Sequence, residues 1–252
     1  MGNMLVYPVG STKACRFASI FLQKANVELV DHPTPEITHL LLDVPSFGPD
    51  GTLRGGGDLR RILDMLPGNI TVIGGGLLNP MLKDYRILDL LLDHQYLANN
   101  AAITAECALQ VAAPLLETTL AETPVLILGW GRIGKCLGQL LKAVGAHVTI
   151  AARKETDRAM IQALGYDAAA IQDIPTRLAK CRLLFNTVPE TILHKDILPP
   201  GRKCVLIDLA SKPGIEGESV TWARGLPGIH APESSGKLIA QTILRLCKEE
   251  TP

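Results

Sequence analysis

Short apolar runs alternate along the chain with stretches of helical periodicity, and turn residues punctuate each change. That alternation is the pattern of an α/β protein with parallel sheets, where strands are buried on both faces and helices connect them. In the first half the runs predict strands near Met4–Val9, Val27–Asp31, His39–Val44, Ile70–Ile73 and Gln95–Leu97. Helical spacing predicts helices around Ala14–Lys24, Leu59–Leu66 and Tyr85–Leu92. Gly10-Ser11, His32-Pro33, Pro45-Ser46 and Gly74-Gly75-Gly76 supply turns at strand ends. Residues 1–100 therefore read as an N-terminal flavodoxin-like domain.

From Asn100 to Leu120 runs an Ala-, Leu- and Glu-rich helical pattern that Pro114 must kink or end. Residues 101–122 are read as a connecting helix. The strand–helix pattern then restarts. Strands are predicted at Val125–Leu128, His147–Ile150, Leu183–Asn186, Val205–Asp208 and around Gly228–His230, with helices at Ile133–Val144, Asp157–Leu164 and Ser235–Lys248. This is the pattern of a Rossmann domain over residues 123–252, its C-terminal helix either included or crossing back to the first domain.

Composition narrows the function. Hydrophobic residues at 47% and charged residues at 20% are ordinary for a globular protein. A net charge of zero and 4% aromatic residues give neither a basic surface nor stacking platforms for nucleic acid. No apolar run reaches the length of a membrane span, and Met1–Gly10 lacks the features of a secretory signal. The six cysteines stand singly, with no C-x-x-C pair, and the six histidines are dispersed. The expectation is a cytoplasmic protein with reduced thiols and no metal site.

The most informative stretch is Val125-Leu-Ile-Leu-Gly129-Trp130-Gly131-Arg132-Ile133-Gly134. An apolar strand enters a G-x-G-x-x-G turn and an amphipathic helix leaves it, with a second strand at the required distance. Gly129 permits the tight turn, Gly131 leaves room for a pyrophosphate, and Gly134 lets helix and strand pack closely. The helix N-terminus then offers N–H groups to the phosphates.

The following strand bears on which dinucleotide binds. NAD sites place a carboxylate at its end for the ribose 2′-hydroxyl. Here the chain reads Thr149-Ile-Ala-Ala152-Arg153-Lys154, and the two cations suit a 2′-phosphate, although Glu155 and Asp157 leave open a solvated basic turn. The residues favour NADP over NAD.

Two further strand exits complete the candidate set. Asn186, Thr187, Val188 and Pro189 form a polar turn facing the nicotinamide half of a Rossmann crevice, or merely cap the strand. Asp208-Leu-Ala210-Ser211-Lys212-Pro213-Gly214 follows the next strand: Asp208 caps the turn, Ala210 lies against the cofactor, and Ser211 and Lys212 are candidates for substrate binding or proton transfer, with a plain surface lysine as the alternative. His230 lacks an identified carboxylate partner and reads as incidental.

These motifs, with Gly225-Leu-Pro-Gly-Ile-His-Ala-Pro232, occur in the order and spacing seen in the dipicolinate synthase A-subunit family, which the chain resembles. The likeness extends more loosely to Pro45-x-x-Gly48, the glycines of Ile73–Gly76 with Asn79, and Asn100 with Thr104-Ala105-Glu106. The first turn, Val9-Gly-Ser-Thr-Lys13, departs from that family's glycine-rich acidic turn; Lys13 and Arg16 there are carboxylate binders or, more simply, surface cations. The resemblance implies a flavodoxin-like domain joined to a Rossmann domain, NADP-linked oxidation of a dihydrodipicolinate-pathway intermediate during sporulation, and a dianionic substrate held between the domains. It also implies a partner, the flavoprotein-like B-subunit of the synthase. A homo-oligomer is expected as well. Glu106 is the first candidate for general base, with helix-end charge complementation as its alternative. A D-2-hydroxyacid dehydrogenase shares the two-domain plan, but the Asp208–Lys212 stretch lacks the arginine such an enzyme uses. A non-catalytic NADP-binding protein or redox sensor is the remaining alternative.

Overall fold

Two separate parallel sheets organise the chain in a computed structural model that describes residues 4–195 and 204–249. The first sheet contains β1 (Leu5–Pro8), β2 (Glu28–Leu29), β3 (His39–Leu41), β4 (Thr71–Gly74) and β5 (Arg86–Asp89). Its order is β2-β1-β3-β4-β5, the flavodoxin-like arrangement. Helices α1 (Lys13–Lys24) and α2 (Leu59–Asp64) belong to the same unit. Leu40, Leu42, Ile70 and Val72 are completely or almost completely buried and form its core with Leu59, Leu63 and Leu82.

Between the sheets in sequence runs α3 (His94–Ala112). The second sheet follows with β6 (Pro124–Leu128), α4 (Arg132–Ala143), β7 (His147–Ala151), α5 (Glu155–Ala163), β8 (Asp167–Ala169), α6 (Ile174–Leu178), β9 (Leu183–Asn186), β10 (Val205–Asp208) and β11 (Val220–Trp222). All its pairings are parallel and its order is β11-β10-β9-β6-β7-β8, the Rossmann arrangement. β6 and β9 occupy the centre, and Leu126–Leu128 and Leu183–Asn186 are fully buried, as strands covered on both faces must be. The short α7 (Leu226–His230) and the long α8 (Pro232–Glu249) complete the described elements.

Three local expectations are corrected. Tyr85–Leu92 is apolar at successive positions and fits strand and helix equally by pattern. It forms the edge strand β5 and then a 3₁₀ turn, Leu90–Leu92. The Asp89 carboxylate accepts from the Leu91 N–H within that turn and from the N–H groups of Gly76 and Leu77, which stops the strand there. Gln95–Leu97 lies in α3, where Asp93 Oδ1 accepts the Tyr96 N–H at 2.6 Å as a helix-capping carboxylate does. Gly228–His230 lies in α7, and the sheet's edge is instead β11. α3 ends at Ala112, ahead of Pro114, which sits in a 3₁₀ turn.

The chain also divides at other points than its sequence pattern indicates. Contacts group the segment up to Asn100 with the segment from Pro227 onward, and Ala101–Leu226 forms the second unit. α8 therefore belongs with the flavodoxin-like unit, the second of the two placements read from sequence, and 101–122 fall within the second unit. The physical reason is packing on α1. Ala14, Cys15, Ala18 and Leu22 of α1 are buried, as are Leu238, Ile239, Ala240 and Ile243 of α8. A Cβ on Gly236 would overlap Phe17 Cβ and fall 2.6 Å from the Ala14 carbonyl oxygen, so glycine lets the helices meet. Arg245 Nη2 then donates to Asp93 Oδ1 at 2.6 Å.

Candidate nucleotide site

β6 sits where the order of the second sheet reverses, with β7 on one side and β9 on the other. Ligands of such sheets bind outside the carboxyl ends of the strands at this point. At the end of β6 the Gly129 N–H donates to the Ala151 carbonyl at 2.9 Å, holding the turn onto β7. Gly129 has φ +102°, and a Cβ there would lie 2.5 Å from Thr187 Oγ1. A Cβ on Gly134 would overlap the Gly129 carbonyl oxygen, so the first turn of α4 is pressed against the strand exit. Gly131 is different: a Cβ there meets nothing within 4 Å. Its backbone faces open space at the N-cap of α4, and no side chain caps that helix. Arg132, Ile133 and Gly134 thus form an uncapped first turn whose dipole and N–H groups suit a phosphate.

Side chains of the turn and of α4 pack beside it. Trp130 meets Tyr166 edge to face, with ring centroids 6.0 Å apart, and Lys135 Nζ lies 5.7 Å from the Trp130 ring. Gly138 allows α4 to approach Ile150 and Tyr166.

At the end of β7, Ala151 and Ala152 are buried, and the exposed Arg153 and Lys154 follow. No carboxylate stands at the strand end. Arg158, half-buried one turn into α5, donates from Nη1 to the carbonyls of Ala152 (3.0 Å) and Arg153 (2.7 Å). It fixes the loop that carries the two cations. Sequence reading missed it, since nothing in an Arg at that helical position signals a bond back to the preceding loop.

The exits of β9 and β10 are built around each other. Asn186 is fully buried: Nδ2 donates to the Val188 carbonyl (3.0 Å) and to Asp208 Oδ1 (2.9 Å), and Oδ1 accepts the Val188 N–H (3.1 Å). Asp208, also fully buried, accepts further from Ala210 N (3.0 Å), Gly214 N (2.6 Å) and Ile215 N (3.1 Å). The Thr187 hydroxyl donates to the Leu128 carbonyl at 2.8 Å. The Ala210 carbonyl accepts from Trp222 Nε1 at 3.1 Å. Asn186, Thr187 and Ala210 therefore spend their polar groups on shaping the loops. Val188 is half-buried, Pro189 exposed, and Ser211 and Lys212 stand exposed on the loop that Asp208 folds. Glu106 is exposed on α3, and the buried Cys107 next to it has its thiol pKa raised by burial and by the Glu106 charge.

The first unit has a superficially similar strand–turn–helix at β1 and α1, but it is closed. The N–H groups of Ser11 and Thr12 donate to the buried Asp43 carboxylate at 3.0 and 3.1 Å, and Thr12 caps α1 through the Cys15 N–H. Burial, with the Asp43 charge beside it, pushes the Cys15 thiol up to about 12. Lys13 and Arg16 are exposed. No group of three or more metal-ligating side chains occurs among the described residues, and none of their helices is long and apolar enough to cross a membrane.

A Rossmann sheet with an open glycine turn, in one chain with a flavodoxin-like unit, is the architecture of a dehydrogenase-like protein with an NAD(P)-binding domain. Comparison agrees: residues 93–199 match the family model of the D-isomer specific 2-hydroxyacid dehydrogenase NAD binding domain. The dipicolinate synthase A-subunit of Bacillus subtilis (strain 168) is 29% identical over 159 residues, 60% of this chain and 54% of that protein. The match thus spans about half the length of this curated relative. A crystal structure of the dipicolinate synthase A-subunit from Bacillus halodurans superposes with a TM-score of 0.83 at 21% identity, covering 97% of both chains. An L-alanine dehydrogenase structure superposes at 0.71 with 12% identity, covering 99% of this chain and 82% of that one. The chain is thus similar in sequence to one dipicolinate synthase A-subunit and in fold to another.

Proposed function

We propose that the protein is an NADP-linked oxidoreductase that oxidises a dihydrodipicolinate-pathway intermediate to dipicolinate by hydride transfer. The observation that carries this reading is the uncapped N-terminus of α4 behind Gly131, next to a β7 exit that offers cations and no carboxylate. The backbone N–H groups of Arg132, Ile133 and Gly134 would hold the pyrophosphate, and Arg153 and Lys154 the 2′-phosphate. When bound, the nicotinamide supplies the hydride acceptor. Asn186, Thr187 and Ala210 act through the backbone they shape, presenting Val188 and Pro189 along the cofactor's edge. Lys212 and Ser211 stand to bind a substrate carboxylate, and Glu106 to take the proton that leaves the ring as it becomes aromatic. The Bacillus subtilis relative is named as one subunit of a synthase, which supports a second subunit as partner here, a flavoprotein-like B-subunit by the resemblance.

Calorimetric titration with NADPH and NADH tests the cofactor. NADPH is expected to bind more tightly, and Arg153→Ala to weaken NADPH by about 10- to 100-fold with little effect on NADH. Equal affinities in the wild type would return the loop to a solvated basic turn. Turnover of dihydrodipicolinate, with and without the partner protein, tests the substrate. Nucleotide binding with no turnover in either assay would favour a non-catalytic NADP-binding role.

A further inference from the structure

Cys181 and Cys204 lie at the amino ends of the two strands whose carboxyl ends are joined by Asn186 and Asp208. Cys181 ends the connection from α6 to β9, and Cys204 immediately precedes β10. Val205 pairs with Leu183, and the Val205 N–H donates to the Arg182 carbonyl at 2.8 Å, so backbone pairing holds the two segments side by side. The sulfur atoms are 3.3 Å apart. Both side chains are half-buried, packed at the margin of the cluster that contains Ile174, Leu178, Leu184 and Leu206. Two thiols this close on adjacent parallel segments need a movement of about 1 Å, shared between two rotatable side chains, to reach bonding distance.

We infer that Cys181 and Cys204 form a reversible disulfide site, oxidised by a peroxide and restored by a dithiol. Cys15 and Cys107 are buried singly, and burial raises their thiol pKa values. In the first step one thiolate attacks a peroxide oxygen: an S–O bond forms, the O–O bond breaks, and hydroxide leaves. The sulfur becomes a sulfenic acid, two electrons poorer. The second thiolate then attacks that sulfur, forming the S–S bond and releasing hydroxide. With the two thiol protons the balance is two thiols and one hydrogen peroxide to one disulfide and two waters. The pair sits at the opposite end of β9 and β10 from the nucleotide turn, about 15 Å along the strands, so the inference stands apart from the cofactor assignment.

The test treats the reduced full chain with stoichiometric hydrogen peroxide, blocks remaining thiols with N-ethylmaleimide, and reads the product by intact and peptide mass spectrometry. The expected product has two fewer of the six thiols blocked, carries the Cys181 peptide joined to the Cys204 peptide, and reverts fully with dithiothreitol. Cys181→Ser and Cys204→Ser are each expected to abolish the joined peptide and to leave a sulfenic acid on the remaining partner that dimedone traps. Continued blocking of both wild-type thiols, oxidation of each separately to sulfinic acid, or cross-linking through other cysteines would overturn the inference.

Discussion

Asp208 accepts four hydrogen bonds in full burial, one from Asn186 and three from backbone N–H groups of the loop that carries Ser211 and Lys212. Asp208→Asn would set an amide donor against donors and is expected to cost about 2–4 kcal/mol, read by urea unfolding. Gly134→Ala drives a methyl group into the Gly129 carbonyl, and should weaken NADPH binding at least tenfold while the flavodoxin-like unit stays folded. Circular dichroism and calorimetry check both halves of that outcome. At this scale the glycine turn was readable because each glycine answers a local steric demand that leaves a fixed spacing in sequence. Asn186 was not readable in the same way. Its partner, Asp208, lies 22 residues away, and only the pairing of β9 with β10 reveals that the two polar side chains face each other. Arg158 escaped for a related reason, since its bonds depend on how the loop before α5 folds back.

Among the elements, α8 is the one with the most to lose. Asp93 and Arg245 join the start of α3 to α8, with side chains 16% and 28% exposed. Burial raises the Asp93 pKa, but the Tyr96 N–H and the Arg245 guanidinium outweigh it and hold the carboxyl below its usual value. A carboxyl whose folded pKa is depressed stabilises fully above its unfolded value of about 4 and loses that contribution as pH falls through the lower folded value. Acid unfolding of the wild type should therefore steepen below about pH 4. Asp93→Asn should remove that component and cost about 1–2 kcal/mol at neutral pH. The strands legible from sequence were those buried on both faces, such as β6 and β9, whose runs are continuously apolar. β8, Asp167-Ala-Ala169, and β11, Val220-Thr-Trp222, are three-residue edge strands with one covered neighbour each, too short to leave a period. Tyr85–Leu92 failed because an unbroken apolar run carries no period either, and Asp89 resolves it only through contacts with Gly76 and Leu77.

Across the whole molecule, the flavodoxin-like unit is assembled from two stretches separated by the entire second unit. A chain cut after Leu226 would keep the nucleotide turn but strip α8 from Ala14, Ala18 and Leu22 of α1. Such a truncation is expected to bind NADPH and to lose the cooperative unfolding of the first unit, with dye binding to the uncovered apolar face. Full cooperativity of both units in the truncated chain would show that α8 is dispensable there. The two sheets themselves were legible, since alternating strands and helices with turn residues at every exit specify a parallel α/β architecture in either half. The return of the chain to its first unit left no such mark, because α8 has the amphipathic pattern of any helix that covers a sheet or another helix. That return has a consequence in time. The ribosome makes α8 only after the whole second unit, so the nascent first unit waits on the order of ten seconds or more at ordinary elongation rates with its α1 face bare. The Rossmann unit can be finished before the unit that precedes it, and the early half is the natural client for a chaperone during synthesis.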